Sequence, residues 1–248
     1  MAHHTGPMAV PSPRPSRVRS RRRAAAPSAD DRPRTPARPP RDGATTLVLG
    51  CGALAQELLE LVRVNRLDHV EVRCLPASLH NLPGEIPAEV DRALDELKDG
   101  YEHTFLAYAD CGTAGALDTV LERHGVDRLP GAHCYAFYAG LPEWQAIHDE
   151  NPGTFYLTDF LARSFESLVI RGLGMDTRPD LAELYFSNYS RLVYLSQRDD
   201  EDLMARARAA ADRLGLAFEH RRTGYGELAT AMGRLGARLG VDVEMPGA

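Results

Sequence analysis

The 248-residue chain has one lysine, Lys98, against 28 arginines, one tryptophan, and four cysteines. The lysine deficit reads as base composition and identifies no function. Four cysteines, Cys51, Cys74, Cys111 and Cys134, in a chain with no export signal argue against a disulfide framework, which leaves free thiols or ligands. No apolar run reaches the roughly 18 residues of a membrane span, and no apolar stretch follows the N-terminal arginines as a secretory signal requires. A soluble, cytoplasmic protein is expected.

What is present is unevenly placed. Residues 1–43 hold ten arginines, three aspartates and nine of the 17 prolines, so a segment at +7 precedes one at −13. That first segment has almost no large apolar side chain and cannot offset the entropy of ordering. Disorder is expected up to Gly43, followed by a single α/β domain over 44–248. The cluster RVRSRRR suits nucleic acid or anionic lipid, but a dispensable extension accounts for it as well, and nucleic acid is not an expected partner.

From Thr45 short apolar runs alternate with amphipathic ones. TTLVLG (45–50) reads as a buried strand, and ALAQELLELVRVN (53–65) as a helix with Leu54, Leu58, Leu61 and Val62 at helical spacing. HVEVRCLP (69–76) is a second strand whose period of two sets Val70, Val72 and Cys74 on one face, so Cys74 is expected in the core. A helix over 88–97, a strand over 104–110 and a helix stopped by Gly125 follow. HCYAFYAG (133–140) is a fourth strand or strand end. The stretches 141–149, 157–171 and 179–188 read as helical, the last begun by Pro179. A strand (191–197), a helix (200–215) closed by Gly215, and one more strand and helix complete the pattern. It specifies an α/β fold, doubly wound, with a mostly parallel sheet, helices on both faces and a helical insertion.

In such folds ligands bind beyond the carboxyl ends of the strands. That edge collects Cys51 after the first strand, His80 in LPASLHNLP after the second, Cys111 in DCG after the third, and His133 with Cys134 at the fourth. Thiolate and imidazole are the usual ligands of zinc and of other soft or borderline metals. The same residues also read as buried small hydrophobes and a hydrogen-bonded core histidine. Neighbours on an extended strand point to opposite faces, so His133 and Cys134 both serve only where the strand has ended or bulges.

A competing motif overlaps Cys51. GCGALA (50–55) fits G-x-G-x-x-A between a strand and a helix, where Gly50 and Gly52 would let the backbone approach a pyrophosphate at the helix N-terminus. The carboxylate such a site needs at the end of the second strand is missing, since that end reads RCLP. TGYGE, with Gly224, turns amides toward an anion or is an ordinary strand-to-helix turn. Thr158 and Asp159 open a helix and serve either its start or a pocket. Asn188 is the best polar candidate in the aromatic patch YFSNY.

Taken in order, Cys51-Gly52, LHNLP, DCG, HCYAFYAG, GTFYLTDFL, YFSNY and TGYGEL resemble the bacterial and archaeal family catalogued as domain of unknown function 1638, over roughly residues 45–240. The resemblance implies a setting beside corrinoid-dependent methyltransferases and their corrinoid proteins, in one-carbon metabolism. It carries over Cys51, His80, Cys111, His133 and Cys134 as motif residues, with Tyr156, Asp159 and Asn188 as pocket members. The leading expectation is a metal-binding protein in which Cys51, Cys111, His133 and Cys134 hold zinc, another soft metal or an iron–sulfur cluster. His80 and Asp159 would then be catalytic groups acting on a small-molecule substrate. The alternatives are a nucleotide- or adenosyl-cofactor-binding protein using Gly50, Gly52, Asn188 and Gly224, and a non-catalytic adaptor of a corrinoid protein or methyltransferase. Whether the chain is an enzyme stays open.

Overall fold

The computed structural model describes residues 40–238. The expectation of disorder over 1–43 falls outside the described residues except at Pro40–Gly43. There the Arg41 backbone N–H donates to Glu71 (2.7 Å) and its guanidinium donates to the carbonyls of Asp68 and Val70.

Among the described residues, seven strands form two sheets, parallel throughout. In the first, β1 (Thr46–Cys51) lies between β2 (Val70–Leu75) and β3 (His103–Ala107), with β4 (Asp127–Arg128) beyond β3, in the order β2-β1-β3-β4. The second runs β5 (Thr154–Thr158), β6 (Arg191–Ser196), β7 (Ala217–Arg222). TLVLGC is buried at all six positions of β1, as a central parallel strand must be when both faces are covered.

Helices follow from spacing and caps. α1 (Ala55–Val64) buries Leu58 and Leu61, each stabilising by roughly 1.5–3 kcal/mol when removed from water. α2 (Ile86–Leu97) packs on α3 (Ala116–His124). α4 (Ala136–Ala139), α5 (Leu141–Glu150), α6 (Asp159–Phe165) and α7 (Leu181–Phe186) lead into the second half. α8 (Glu201–Leu214) starts where the Asp200 carboxylate accepts from Leu203 N–H (3.0 Å) and stops at Gly215, whose φ of +68° suits glycine. It packs on α6. The last helix, α9 (Gly226–Arg238), returns to α1 and α4, placing Leu228, Ala229 and Met232 in the core of the first sheet.

The parallel α/β reading holds, with the strands shared between two sheets. Three segments correct the local expectations. HCYAFYAG is a turn at Cys134–Tyr135 followed by α4, bracketed by Gly131 (φ +134°) and Gly140 (φ +80°). Its apolar, aromatic composition imitates a strand, but the carbonyls of His133, Cys134 and Tyr135 accept from amides three residues on. The helix expected from 157 begins at Asp159, and TFYLT before it is β5, so the 141–188 stretch is not wholly helical. β-Branched and aromatic residues favour that strand, and Thr158 caps the helix by accepting from Leu161 N–H (3.3 Å). Cys74 is exposed instead of buried, because β2 is an edge strand.

Candidate functional site

The first sheet changes winding direction at β1, which has β2 on one side and β3 on the other. The crevice beyond the carboxyl ends of β1 and β3 is the switch point at which open α/β sheets bind ligands. Cys51 ends β1, and Cys111 lies four residues past β3. The loop carrying Cys111 is organised by Asp110, whose carboxylate accepts from Thr113 Oγ1 (2.7 Å) and from the amides of Gly112, Ala114 and Gly115. Burial alone would raise the Asp110 pKa, but these donors outweigh it and hold the group ionised. Amides of Asp110 and Cys111 donate to the carbonyls of Gly131 and Ala132, which ties this loop to the one bearing Cys134.

The consequence is that Cys111 Sγ and Cys134 Sγ lie 3.3 Å apart, both buried. Cys134 also accepts from Ala109 N–H (3.4 Å). The Cys134 thiol holds its neighbour Cys111 down at about 5 against the cost of burial, with His80 contributing in the same direction. Cys134 likewise lowers Cys51, again against burial and aided by the Ala53 amide. Cys134 itself is pushed well above the usual thiol range, first by Cys111 and then by Cys51. Among the three sulfurs it is Cys134 that keeps its proton. Cys111 raises the pKa of His80 against burial, while burial lowers that of His133.

Cys51, His80, His133 and Cys134 line a cavity of about 680 Å³ whose far wall comes from the second half of the fold. There Thr154, Phe155, Tyr156 and Thr158 of β5, Phe160 and Leu161 of α6, and Leu168 and Val169 of the π-helical turn Glu166–Arg171 complete the lining. The π-bulge is a form common at functional sites. Rings stack along the lining: His133 on Tyr135 (4.9 Å), Tyr135 on Tyr156 (5.0 Å), and Trp144 on His148 (5.3 Å). Tyr108, Trp144 and His148 are neighbours that sequence reasoning did not single out. Tyr108 is buried beside Cys51, and burial followed by that thiol drives its pKa far up. Its signal in the sequence is the single phenol in TFLAYAD.

Other anticipated residues stand apart from this cavity. Asp159 is buried, accepting from Tyr194 Oη (2.7 Å) and Gln197 N–H (3.2 Å), and holds α6 to β6. Asn188 is exposed, and its carbonyl lies 2.6 Å from where a Cβ on Gly153 would sit. A Cβ on Gly50 would meet Leu58 (2.7 Å), and one on Gly52 would meet the Leu75 carbonyl oxygen (2.8 Å), so the chain itself fills the space a pyrophosphate would need. The Gly224 amide donates to the Ser196 carbonyl. Among the described residues, Asp91, Asp95 and His124 have ligand atoms all within 4.8 Å of one another; His124 and Arg123 pair with Asp91 there. The thiols and imidazoles of the cavity are spread more widely.

A family model described as "Protein of unknown function (DUF1638)" matches residues 74–232. No curated protein and no solved structure matches the chain.

Proposed function

The chain belongs to that family of proteins of unknown function, and from its site we propose that it binds a soft or borderline metal ion, zinc foremost, through the thiolates of Cys51, Cys111 and Cys134. The observation carrying this reading is the 3.3 Å approach of two buried thiols with a third beside them, at the switch point of the sheet. Tetrahedral zinc separates sulfur ligands by roughly 3.8 Å, so the 3.3 Å between Cys111 and Cys134 supports a shared ion, for which Cys51 or an imidazole would have to close in. The proton held on Cys134 is what an ion would displace. His133 has a buried Nδ1 without a partner and is a candidate fourth ligand, while His80, beside Cys111, is the proton-transfer group or alternative ligand.

A bound divalent ion would lower thiol pKa values and ready a sulfur to accept an alkyl group. The reaction we attach to the site is methyl or one-carbon transfer, with a corrinoid protein or methyltransferase as partner, which is the setting the sequence resemblance implies. Its support here is a thiol-bearing cavity with room for a substrate. The dinucleotide reading is disfavoured by the filled space at Gly52.

The test is metal analysis of protein purified without oxygen, with thiols titrated before and after chelation. About one zinc per chain is expected, masking three of four thiols. Cys111→Ser should lower bound metal severalfold with the circular dichroism spectrum unchanged. Metal content equal to wild type would sink the assignment.

A further inference from the structure

The cavity has a second property that its thiols do not explain. Of its 26 lining residues none is Asp, Glu, Lys or Arg, in a chain where such residues make up 26%. Its polar side chains are cysteines, histidines, tyrosines, threonines, one asparagine and the indole of Trp144. Much of the lining contributed by residues 152–189 is aliphatic and aromatic, through Phe155, Phe160, Leu161, Leu168, Val169 and Phe186. A ligand bearing a phosphate, carboxylate or ammonium would lose its hydration there with no Asp, Glu, Lys or Arg side chain to pair with it, which is costly. An apolar body instead gains by leaving water, and about 680 Å³ is in the range of sites for small organic molecules.

We propose that the cavity binds an uncharged small molecule with an apolar or aromatic body, one end of which meets the thiols of Cys51 and Cys134 that line it. This rests on the metal-site reading for which end of the ligand reacts, but not for the selection against charge. The rim agrees: Tyr185 and Tyr189 line the cavity and are among the exposed large hydrophobic side chains of the described residues. They form an apolar approach where a site for charged ligands would carry steering charges.

Trp144 is the chain's single tryptophan and lines the cavity, so its fluorescence reports occupancy without a label. The experiment titrates 1-octanol, octanoate and octylammonium into wild-type protein, metal-free and zinc-loaded. Saturable octanol binding at least tenfold tighter than either charged ligand is expected in the metal-free protein, and tenfold tighter than octylammonium in the zinc-loaded one, where a carboxylate can also ligate the ion. A charged ligand binding within tenfold of octanol in the metal-free protein, or no saturable octanol signal, overturns the proposal. A gain-of-function variant separates selection from misfolding. Tyr185→Arg, at an exposed position of the lining, should raise the affinity for octanoate relative to octanol severalfold; an unchanged octanoate-to-octanol ratio counts against the proposal. Zinc content measured on the same samples reads the metal site independently. Octanol selectivity in a protein that retains no zinc supports the ligand class while ending the metal reading.

Discussion

Glu57, on α1, shows what a single buried group costs. Its side chain is buried, and Oε2 has no hydrogen-bond partner. Burial raises its pKa above the ordinary 4.5, against its own backbone amide and the Arg163 guanidinium. At pH values below 4.5 the group is protonated in both states and contributes no pH dependence. As pH rises from 4.5 through the raised value, the unfolded chain releases the proton while the folded one keeps it, so stability is lost over that window. Glu57→Gln should therefore be more stable than wild type at pH 7, by about 1 kcal/mol, with the difference shrinking toward pH 4.5. Thermal melts between pH 4 and 8 check this; parallel profiles would refute it. At this scale the sequence was informative where residues are rare. Cysteines and histidines following strand ends pointed to Cys51, His80, Cys111, His133 and Cys134, of which all but Cys111 line the cavity, with Cys111 in contact with Cys134. Trp144 and His148 were not legible, because their role depends on two halves of the chain meeting across the cavity.

Elements add constraints that no residue shows alone. Gly226 opens α9 at a φ of +48°, and a Cβ there would sit 2.3 Å from the carbonyl oxygens of both Phe137 and Tyr138. TGYGE thus brings α9 against α4, and the Glu227 carboxylate accepts from Leu141 N–H (3.0 Å). Gly215 has a similar φ, +68°, but open space around its Cβ position. Gly215→Ala should cost about 1–2 kcal/mol from backbone strain alone, and Gly226→Ala should cost more, because backbone atoms must also move. Urea unfolding of the pair measures the difference; equal losses would mean that contact with α4 is unimportant. Periodicity located α1 and α8 well because their buried side chains recur at helical spacing. It failed at 133–140, where aromatic residues imitate a strand, and at β4, whose two residues present no pattern to read.

Over the whole molecule, the alternation of strands and helices disclosed the parallel α/β class. The division into two sheets and the return of α9 were hidden, since pairing partners leave no mark in periodicity. If the thiols hold zinc in the folded state alone, free zinc at a hundredfold excess over Kd should stabilise by about 2.7 kcal/mol. For a domain of this length that is a rise in Tm of roughly 5–11 °C, reversed by chelation and absent in Cys111→Ser. A Tm indifferent to zinc would count against the site. The placement of α9 also bears on how the protein is made. The surface of α1 that Leu228 and Met232 help to bury cannot be covered until α9 has left the ribosome. At typical synthesis rates roughly ten to thirty seconds separate α1 from α9. During that interval the nascent first half carries an uncovered apolar face, which gives a chaperone both a binding surface and the time to use it.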